Sequence, residues 1–226
     1  MTAAEQLETT MIYSVAGLLG EKETLVMNRP FRMADYRTSK AGLMGGGNTP
    51  YPGEVSLAHN GVLFIDEFLE MERKQIDALR KPMEEEEVRM IRGGLLYRYP
   101  ARFLLAAASN PCRCGYYGDE NHVCTCSRSQ LDQYRGRLSG PLLDRIDLMV
   151  NVAVPELGDI RRRQKGISSE ELRADVMRAR AVQQERFARE GIDYNSQMGS
   201  RLIRKYCEVE KDAQMLLDEA FERFKL

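Results

Sequence analysis

The sequence lacks the features that mark a membrane-spanning or a secreted protein. None of its stretches approaches the roughly 20 apolar residues that a bilayer-spanning helix needs. The N-terminus shows no signal-peptide pattern, and we therefore predict a cytoplasmic protein with no membrane partner. The formal net charge is only −1, so no overall field attracts nucleic acid, and such binding must come from local clusters of charge.

Cysteine is scarce but unevenly placed. Four of the five cysteines crowd into one short segment, as Cys112, Cys114, Cys124 and Cys126. In a reducing compartment such crowding indicates a metal site sooner than disulfides. Four thiolates can close a tetrahedral, structural zinc site, with His122 as a spare ligand, and the metal would then pin the loop beside Asn110. The spacing differs from the usual C-x₂-C pairs, and four reduced thiols packed in a loop are the alternative.

The chain of 226 residues is long enough for one sizeable core and a smaller subdomain. A run that is apolar at every position, residues 61–65, predicts a strand buried on both faces of a parallel sheet, and residues 101–109 and 147–152 are two further strand candidates. Helices are predicted over residues 4–17 and 69–83, and residues 21–52 are loop-like. Gly93-Gly94 predicts a hairpin over residues 88–99.

Charged helical segments follow Pro155. Ser168 and Glu171 form a capping box at the start of one helix, whose apolar stripe includes Leu172, Val176, Ala179 and Phe187. Residues 210–224 supply another, with Met215, Leu216, Ala220 and Phe224 as core candidates. Strands with intervening helices followed by helices alone predict an α/β core over residues 1–155 and a helical lid subdomain over 156–226.

Two predicted strands end in polar residues. Asp66 and Glu67 follow one strand directly, and Asn110 closes the next. Ligands of open α/β sheets lie beyond the carboxyl ends of the strands, where an Asp can hold Mg²⁺ and a Glu can orient or deprotonate water. The alternatives are an acidic cap for the helix that follows Glu67, and a turn that starts at Asn110.

Residues 52–67, PGEVSLAHNGVLFIDE, resemble the magnesium-chelatase-like AAA+ ATPases, the family of the competence protein ComM and of YifB. Three further blocks match the same family in order, and the resemblance covers essentially the whole chain. They are residues 13–19 (YSVAGLL), the cysteine-rich segment 110–126, and residues 138–148 (LSGPLLDRIDL). The resemblance implies an AAA+ P-loop NTPase core, with a parallel sheet between helices, and a C-terminal helical lid.

The resemblance also assigns roles to individual residues. Asp66 and Glu67 would be the Walker B pair, and Asn110 the polar residue of sensor 1. Arg145 would be an arginine finger that reaches the nucleotide of the neighbouring subunit, where a guanidinium stabilises the charge of the transferred phosphoryl group. The alternative for Arg145 is a surface salt bridge to a neighbouring aspartate, 144 or 147.

Two segments are implied to touch the substrate in the central pore. They are an insertion in helix 2, at about residues 15–55, and the hairpin before sensor 1, at about residues 88–99. Arg89, Arg92 and Arg98 would give this hairpin phosphate-binding charge. A solvated hairpin balanced by the acidic run 84–87 is the alternative.

The chain departs from the family at three points. It contains no G-x-x-x-x-G-K-[ST] motif, so the resemblance implies that the P-loop lies upstream and that this chain alone is inactive. It also ends before the segment that carries the family's sensor 2 arginine. Where relatives have paired histidines after Arg32, this sequence reads Met33-Ala34-Asp35-Tyr36.

The resemblance implies an ATPase that uses ATP and Mg²⁺ and assembles with itself as a hexameric ring. The leading hypothesis is a DNA translocase of the branch-migration or helicase-like type. One alternative is an ATPase subunit that assists metal insertion into a porphyrin, and another is a slow nucleotide-dependent chaperone or regulator. The same motor core serves different substrates, so the hairpin arginines are what favour DNA.

Overall fold

The computed structural model describes residues 1–20, 24–152 and 166–225. They belong to two compact units, Met1–Asn151 and Val152–Leu226. The domain boundary predicted at residue 155 lies outside the described residues. No helix in the described part of the chain is long and apolar enough to cross a bilayer.

The first unit alternates strands and helices around a small central sheet. In chain order its elements are α1 (Ala3–Val15), β1 (Phe31–Ala34), α2 (Lys40–Met44), β2 (Gly45–Gly46), β3 (Tyr51–Pro52), α3 (Glu54–Leu57), β4 (Val62–Ile65), a 3-10 turn (Phe68–Glu70), α4 (Arg73–Glu85), β5 (Glu87–Arg92), β6 (Leu95–Pro100), β7 (Leu104–Ala107), α5 (Arg128–Arg135) and α6 (Gly140–Leu143).

The central sheet is parallel, with the strand order β1-β4-β7. Its register sets Ala34 beside Ile65 and Ile65 beside Ala107, so the three strands end at one level. The two strands predicted over residues 61–65 and 101–109 are confirmed as β4 and β7, and so is the α/β architecture.

The two faces of the sheet differ in burial. On one face Leu63 and Ile65 are fully buried in the core, together with side chains from the three helices α2, α3 and α4: Leu43, Val55, Ile76 and Leu79. Burial of each such side chain contributes about 1.5–3 kcal/mol. Residues on the opposite face are apolar but exposed: Phe31 by 62%, Met33 by 66% and Leu104 by 62%. The register places these three on the same face, because side chains alternate along a strand.

Strand β1 lies within residues 21–52, which the sequence predicts as a loop, and that prediction is wrong for β1. Arg32 interrupts the apolar run and points to the buried side, where Glu54 accepts hydrogen bonds of 2.7 and 2.8 Å from its guanidinium. Because a charged residue stands inside the strand, a search for apolar runs does not recognise it. The range 15–55, predicted as one insertion in a helix, therefore includes a strand of the central sheet. Between α2 and α3, the pair β2–β3 forms a short antiparallel excursion.

The third predicted strand, residues 147–152, is wrong in this structure. These residues adopt neither strand nor helix, and Leu148 and Val150 are 84% and 80% exposed. An apolar run becomes a strand only where a neighbouring strand accepts its backbone hydrogen bonds. Within the described ranges β1, β4 and β7 alone form the parallel sheet, and residues 147–152 pair with none of them.

The hairpin predicted over residues 88–99 is confirmed as β5 and β6. Gly93 and Gly94 take φ values of +56° and +78°, as a two-residue hairpin turn requires. Helix α1 ends at Val15, two residues before the predicted end at Gly17. Helix α4 continues through Pro82 to Glu85, so the proline does not end it.

A buried polar network holds α1. The side-chain amide of Asn60 donates to the carbonyl of Glu5 and to the hydroxyl of Thr9, both at 3.3 Å. Its carbonyl accepts from Arg102 at 2.7 Å, while Arg29 donates to the backbone carbonyl of Asn60 at 2.6 Å. Residues from four distant parts of the chain therefore meet at one amide.

The second unit is helical. It contains α7 (Ser169–Phe187), a 3-10 turn (Asn195–Gln197), α8 (Ser200–Tyr206) and α9 (Lys211–Phe224). The capping box of Ser168 and Glu171 is confirmed. Of the core candidates, Phe187 at the end of α7 is buried, but Leu172 and Val176 are at least half exposed, and α9 has no buried residue. A helical pattern shows which side chains share a face but not whether another element covers it.

Candidate functional site

The carboxyl end of the central sheet gathers polar residues from three strands. Asp35 follows β1, Asp66 and Glu67 follow β4, and Asn110 lies three residues after β7. The parallel register brings these strand ends to one edge of the sheet. The amide of Asp66 donates to the carbonyl of Ala34 at 3.3 Å, which continues the ladder up to the acid pair.

Glu67 adopts an unusual backbone conformation. Its φ is 51°, in the left-handed region that non-glycine residues rarely occupy. The amide of Glu67 donates to the carboxylate of Asp66 at 2.8 Å, and both side chains are exposed to solvent. Strained residues of this kind cluster at functional sites, so the conformation points to a role for Glu67 beyond chain reversal.

Neither acid caps a helix through its side chain. Glu72 is the N-cap residue of α4, and its amide donates to the side chain of Gln75 at 2.8 Å. The turn that follows Glu67 has no side-chain cap bond. This geometry removes the main structural reason for an acidic pair at this position.

The turn after Glu67 is bonded to the segment that follows β7. The amide of Phe68 donates to the carbonyl of Ala108 at 2.9 Å, and the amide of Leu69 donates to the hydroxyl of Ser109 at 3.0 Å. Asn110, which is exposed, comes directly after these two anchors. The structure thus places Asn110 one residue from a direct link to the acid pair's turn.

Asp35 and Arg37 were missed by the sequence analysis, because the strand that leads to them was missed. The carboxylate of Asp35 accepts from the amide of Arg37 at 2.8 Å and from its guanidinium at 3.1 Å. These bonds, the backbone one foremost, lower the pKa of Asp35, and the bond to Asp35 raises the pKa of Arg37. The recognition that residues 31–34 form a strand would have marked both.

Arg145 lies just after α6, and its guanidinium binds Glu84 near the end of α4 at 3.0 Å. The side chains are 41% and 48% exposed. The structure therefore replaces the expected alternative partner, a neighbouring aspartate, with Glu84. An exposed pair of this kind holds its partners weakly, so the guanidinium is available to a stronger anion.

The hairpin carries its arginines on different faces. Arg89 and Arg98 are cross-strand partners on the outer face, where two like charges directly opposite each other repel. Arg89 binds Glu85 and Glu87, and the bond to Glu87 raises its pKa. Arg92 lies at the tip and donates to the carbonyl of Ile91 at 3.1 Å. The tip also exposes apolar side chains: Ile91, Leu95 and Leu96.

The four clustered cysteines converge on one point. The Sγ atom of Cys112 lies 3.3 Å from that of Cys114 and 3.8 Å from that of Cys124, and the latter two are 3.5 Å apart. With Cys126 included, all four Sγ atoms lie within 4.8 Å of one another. His122 does not join them, because its ring stacks on Tyr116 and its Nδ1 lies 3.4 Å from Asp119.

The electrostatics of the cluster suit a cation. The backbone amide of Tyr116 foremost lowers the pKa of Cys114 to about 5. The amide of Cys126 lowers the pKa of Cys124, but desolvation and the neighbouring thiols outweigh it and raise that pKa to about 12. One thiolate therefore forms easily and the next does not, unless a metal ion neutralises the charge.

Comparison with known proteins identifies relatives along the whole chain. A family profile described as magnesium chelatase, subunit ChlI, matches residues 1–160, and one for the C-terminal part of subunit ChlI matches residues 166–226. The chain is 37% identical over 231 residues to the competence protein ComM of Haemophilus influenzae. The aligned region makes up 100% of this chain and 43% of that protein.

Two other relatives match different lengths of this chain. YifB of Escherichia coli is 39% identical over 215 residues, 95% of this chain and 41% of that protein. The DNA replication licensing factor Mcm6 of Drosophila melanogaster is 31% identical over 108 residues, 48% of this chain and 12% of that protein. The chain thus spans less than half the length of the curated relatives it matches.

Proposed function

The chain belongs to the magnesium chelatase subunit ChlI family, a group of AAA+-like ATPases, and from that premise we propose that it supplies the catalytic edge of an ATP-driven motor. The observation that carries the proposal is the acid pair at the end of β4, the central strand, with polar strand ends on both sides. Of the described residues, this edge collects the carboxylates and the amide that suit Mg²⁺ and an attacking water.

Asp66, Glu67, Asn110 and Arg145 each have a proposed role. Mg²⁺ bound with ATP supplies charge neutralisation, and the exposed carboxylate of Asp66 suits this ion, which prefers oxygen ligands. Glu67 orients the attacking water and accepts its proton. Asn110 donates its side-chain amide to the same water or to the terminal phosphate. Arg145 leaves Glu84 and reaches the nucleotide of a neighbouring subunit.

We propose ATP and Mg²⁺ as the reaction's cofactors and one structural zinc ion in the cysteine cluster. The motor would assemble with itself as a hexameric ring. The 226-residue chain alone is expected not to hydrolyse ATP, because it contains no G-x-x-x-x-G-K-[ST] motif to hold the phosphates.

DNA is the proposed substrate, with the β5–β6 hairpin as its contact. Arg89 and Arg98 lie opposite each other on the outer face, and a phosphate would bind both once Arg89 leaves Glu85 and Glu87. The names of two relatives, a competence protein and a replication licensing factor, support a nucleic-acid substrate. The second candidate is an ATPase subunit for metal insertion into a porphyrin, which the family's description favours.

The test compares ATP hydrolysis by the full-length protein with and without DNA. We expect DNA to stimulate hydrolysis, and the double variant Arg89→Gln/Arg98→Gln to lose the stimulation while its basal rate stays unchanged. Arg178→Gln, an exposed arginine on α7, is the matched control. Stimulation should weaken steeply with salt if phosphates are bound. A wild-type rate of ATP hydrolysis that DNA does not change would contradict the DNA proposal and favour the second candidate.

A further inference from the structure

The segment 108–137, a loop followed by helix α5, begins and ends at the turn after Glu67. At its start, Ala108 and Ser109 accept hydrogen bonds from the amides of Phe68 and Leu69. At its end, the guanidinium of Arg137 donates to the carbonyl of Leu69 and lies 3.5 Å from the carboxylate of Glu70. Both ends of the segment are therefore hydrogen-bonded to this turn.

The middle of this loop has almost nothing of its own to hold it. Residues 108–127 contain no helix or strand, and Cys112 is the sole buried side chain among them. Val123, the one aliphatic residue in the far half, is 88% exposed. A stretch of this length without helix or strand keeps one conformation only if a cross-link or other contacts hold it.

The cysteine cluster lies where it can cross-link this stretch. A tetrahedral ion with Zn–S bonds of about 2.3 Å separates its sulfur ligands by about 3.8 Å. The Sγ–Sγ distances of 3.3, 3.5 and 3.8 Å approach that value. Cys112 and Cys114 follow the first anchor, while Cys124 and Cys126 precede α5, so a metal ion would join the two arms of the loop.

The far arm continues into packed structure. Helix α5 lies against the 3-10 turn of Phe68–Glu70, and its Tyr134 is 1% exposed. A cross-link at the cysteines thus connects the end of β7, through α5, to the turn that carries the acid pair.

We infer that Cys112, Cys114, Cys124 and Cys126 bind one zinc ion, and that this ion fixes the loop that sets Asn110 against the Glu67 turn. Binding forms four Zn–S bonds and releases the thiol protons to solvent, with no change of oxidation state. In this arrangement zinc has no open coordination position and takes no part in the reaction. The inference about position rests on the proposed roles of Glu67 and Asn110, whereas the inference about metal does not.

The test measures zinc and backbone amide exchange on the 226-residue chain. Elemental analysis should find about one zinc per chain in wild type and in Cys207→Ser, whose cysteine is exposed and outside the cluster. Cys114→Ser/Cys124→Ser should bind none. Zinc-loaded wild type treated with a chelator should show exchange about tenfold faster at the Phe68 and Leu69 amides, with α7 unchanged and with recovery when zinc is restored.

Chelation of the wild-type chain keeps the test decisive if the double variant does not fold. Absence of zinc from wild type purified without chelator, and after addition of zinc, would overturn the metal site. Zinc that leaves without any change at Phe68 and Leu69 would overturn its positioning role. Because no nucleotide is present, these results are independent of whether the full-length protein hydrolyses ATP.

Discussion

Glu67 combines a strained backbone with an exposed carboxylate at the end of the central strand. In the full-length protein we expect Glu67→Gln to bind ATP normally and to hydrolyse it about 10²–10⁴-fold more slowly, because the amide keeps the size but cannot accept a proton. Nucleotide binding by calorimetry and turnover by phosphate release provide the two measurements. Turnover at the wild-type rate would remove Glu67 from the mechanism.

The strain itself can be measured at the same residue. Glycine tolerates φ near +51° without penalty, so Glu67→Gly should stabilise the chain by about 0.5–1 kcal/mol in spite of the lost side chain. Glu67→Gln keeps the strain and should leave stability unchanged. Thermal unfolding of the three chains gives the comparison, and a glycine variant less stable than wild type would show that Glu67 is not strained.

Arg145 is predicted to act across a subunit boundary. Its pair with Glu84 is exposed, so Arg145→Ala should change the free energy of unfolding by no more than about 1 kcal/mol. Hydrolysis by the assembled full-length protein should nevertheless fall. Glu84→Gln breaks the same pair but keeps the guanidinium, and it serves as the control with hydrolysis retained.

Mixed rings test whether Arg145 acts in trans. Subunits with Arg145→Ala and subunits with Glu67→Gln are each expected to hydrolyse ATP slowly alone, but a mixture creates interfaces with an intact Glu67 pocket and an intact Arg145 neighbour. Some hydrolysis should return. If assembly is verified and no mixture recovers activity, Arg145 does not act in trans.

At the scale of elements, sequence patterns identified the strands whose residues are all apolar. Strands β4 and β7 fit that description, and Asp66, Glu67 and Asn110 were found because they follow them. The sequence analysis missed strand β1 because Arg32 points inward, where its charge is compensated by Glu54, which lies 22 residues further along the chain. Asp35 was missed because it follows that strand. Long-range pairing of this kind leaves no periodic signal in a single sequence.

The overpredicted elements share one physical cause. Residues 148–150 are apolar but have no strand to pair with among the described residues, and most of the apolar stripe residues of α7 and α9 are exposed. Pattern establishes which side chains share a face, whereas burial depends on what the rest of the chain brings to that face.

Helix α8 is tied to the end of α7 by one carboxylate. Glu190 binds Lys205 at 2.5 Å and Arg201 at 2.7 Å, and these bonds, that to Lys205 first, lower its pKa to about 2. A carboxyl whose pKa falls on folding stabilises the fold above its unfolded value, and the contribution fades as the pH drops toward the folded value. The stability of the second unit should therefore decline between about pH 4.5 and pH 2.

Glu190→Gln should flatten that decline and weaken α8 at neutral pH. Amide exchange at Leu202 of α8, followed from pH 6 to pH 3, measures both effects, after correction for the pH dependence of intrinsic exchange. Glu185→Gln on α7 is the matched control, and its pH profile should follow wild type. A profile that is the same for wild type and Glu190→Gln would show that the carboxylate does not hold α8.

At the scale of the whole molecule, the central sheet has one apolar face in solvent. Phe31, Met33 and Leu104 are each more than 60% exposed there, and contiguous apolar surface promotes association. We expect the 226-residue chain to self-associate at micromolar concentration in sedimentation experiments. The triple variant Phe31→Ser/Met33→Ser/Leu104→Ser should sediment as a monomer.

Ile91→Ser provides the control for that experiment. Ile91 is 67% exposed at the hairpin tip, so its loss removes apolar surface away from the sheet. Its sedimentation should match wild type. A wild-type chain that is monomeric throughout would mean that the sheet face is covered in solution.

The network around Asn60 also determines an order of events during synthesis. Helix α1 is made before its partners, but 13 residues are too few for a stable helix in water, and its Leu7 and Met11 remain exposed even in the finished fold. The groups that hold it come from Arg29, Asn60 and Arg102. Helix α1 is therefore made before the groups that fix it, and it has to wait until residue 102 has emerged from the exit tunnel.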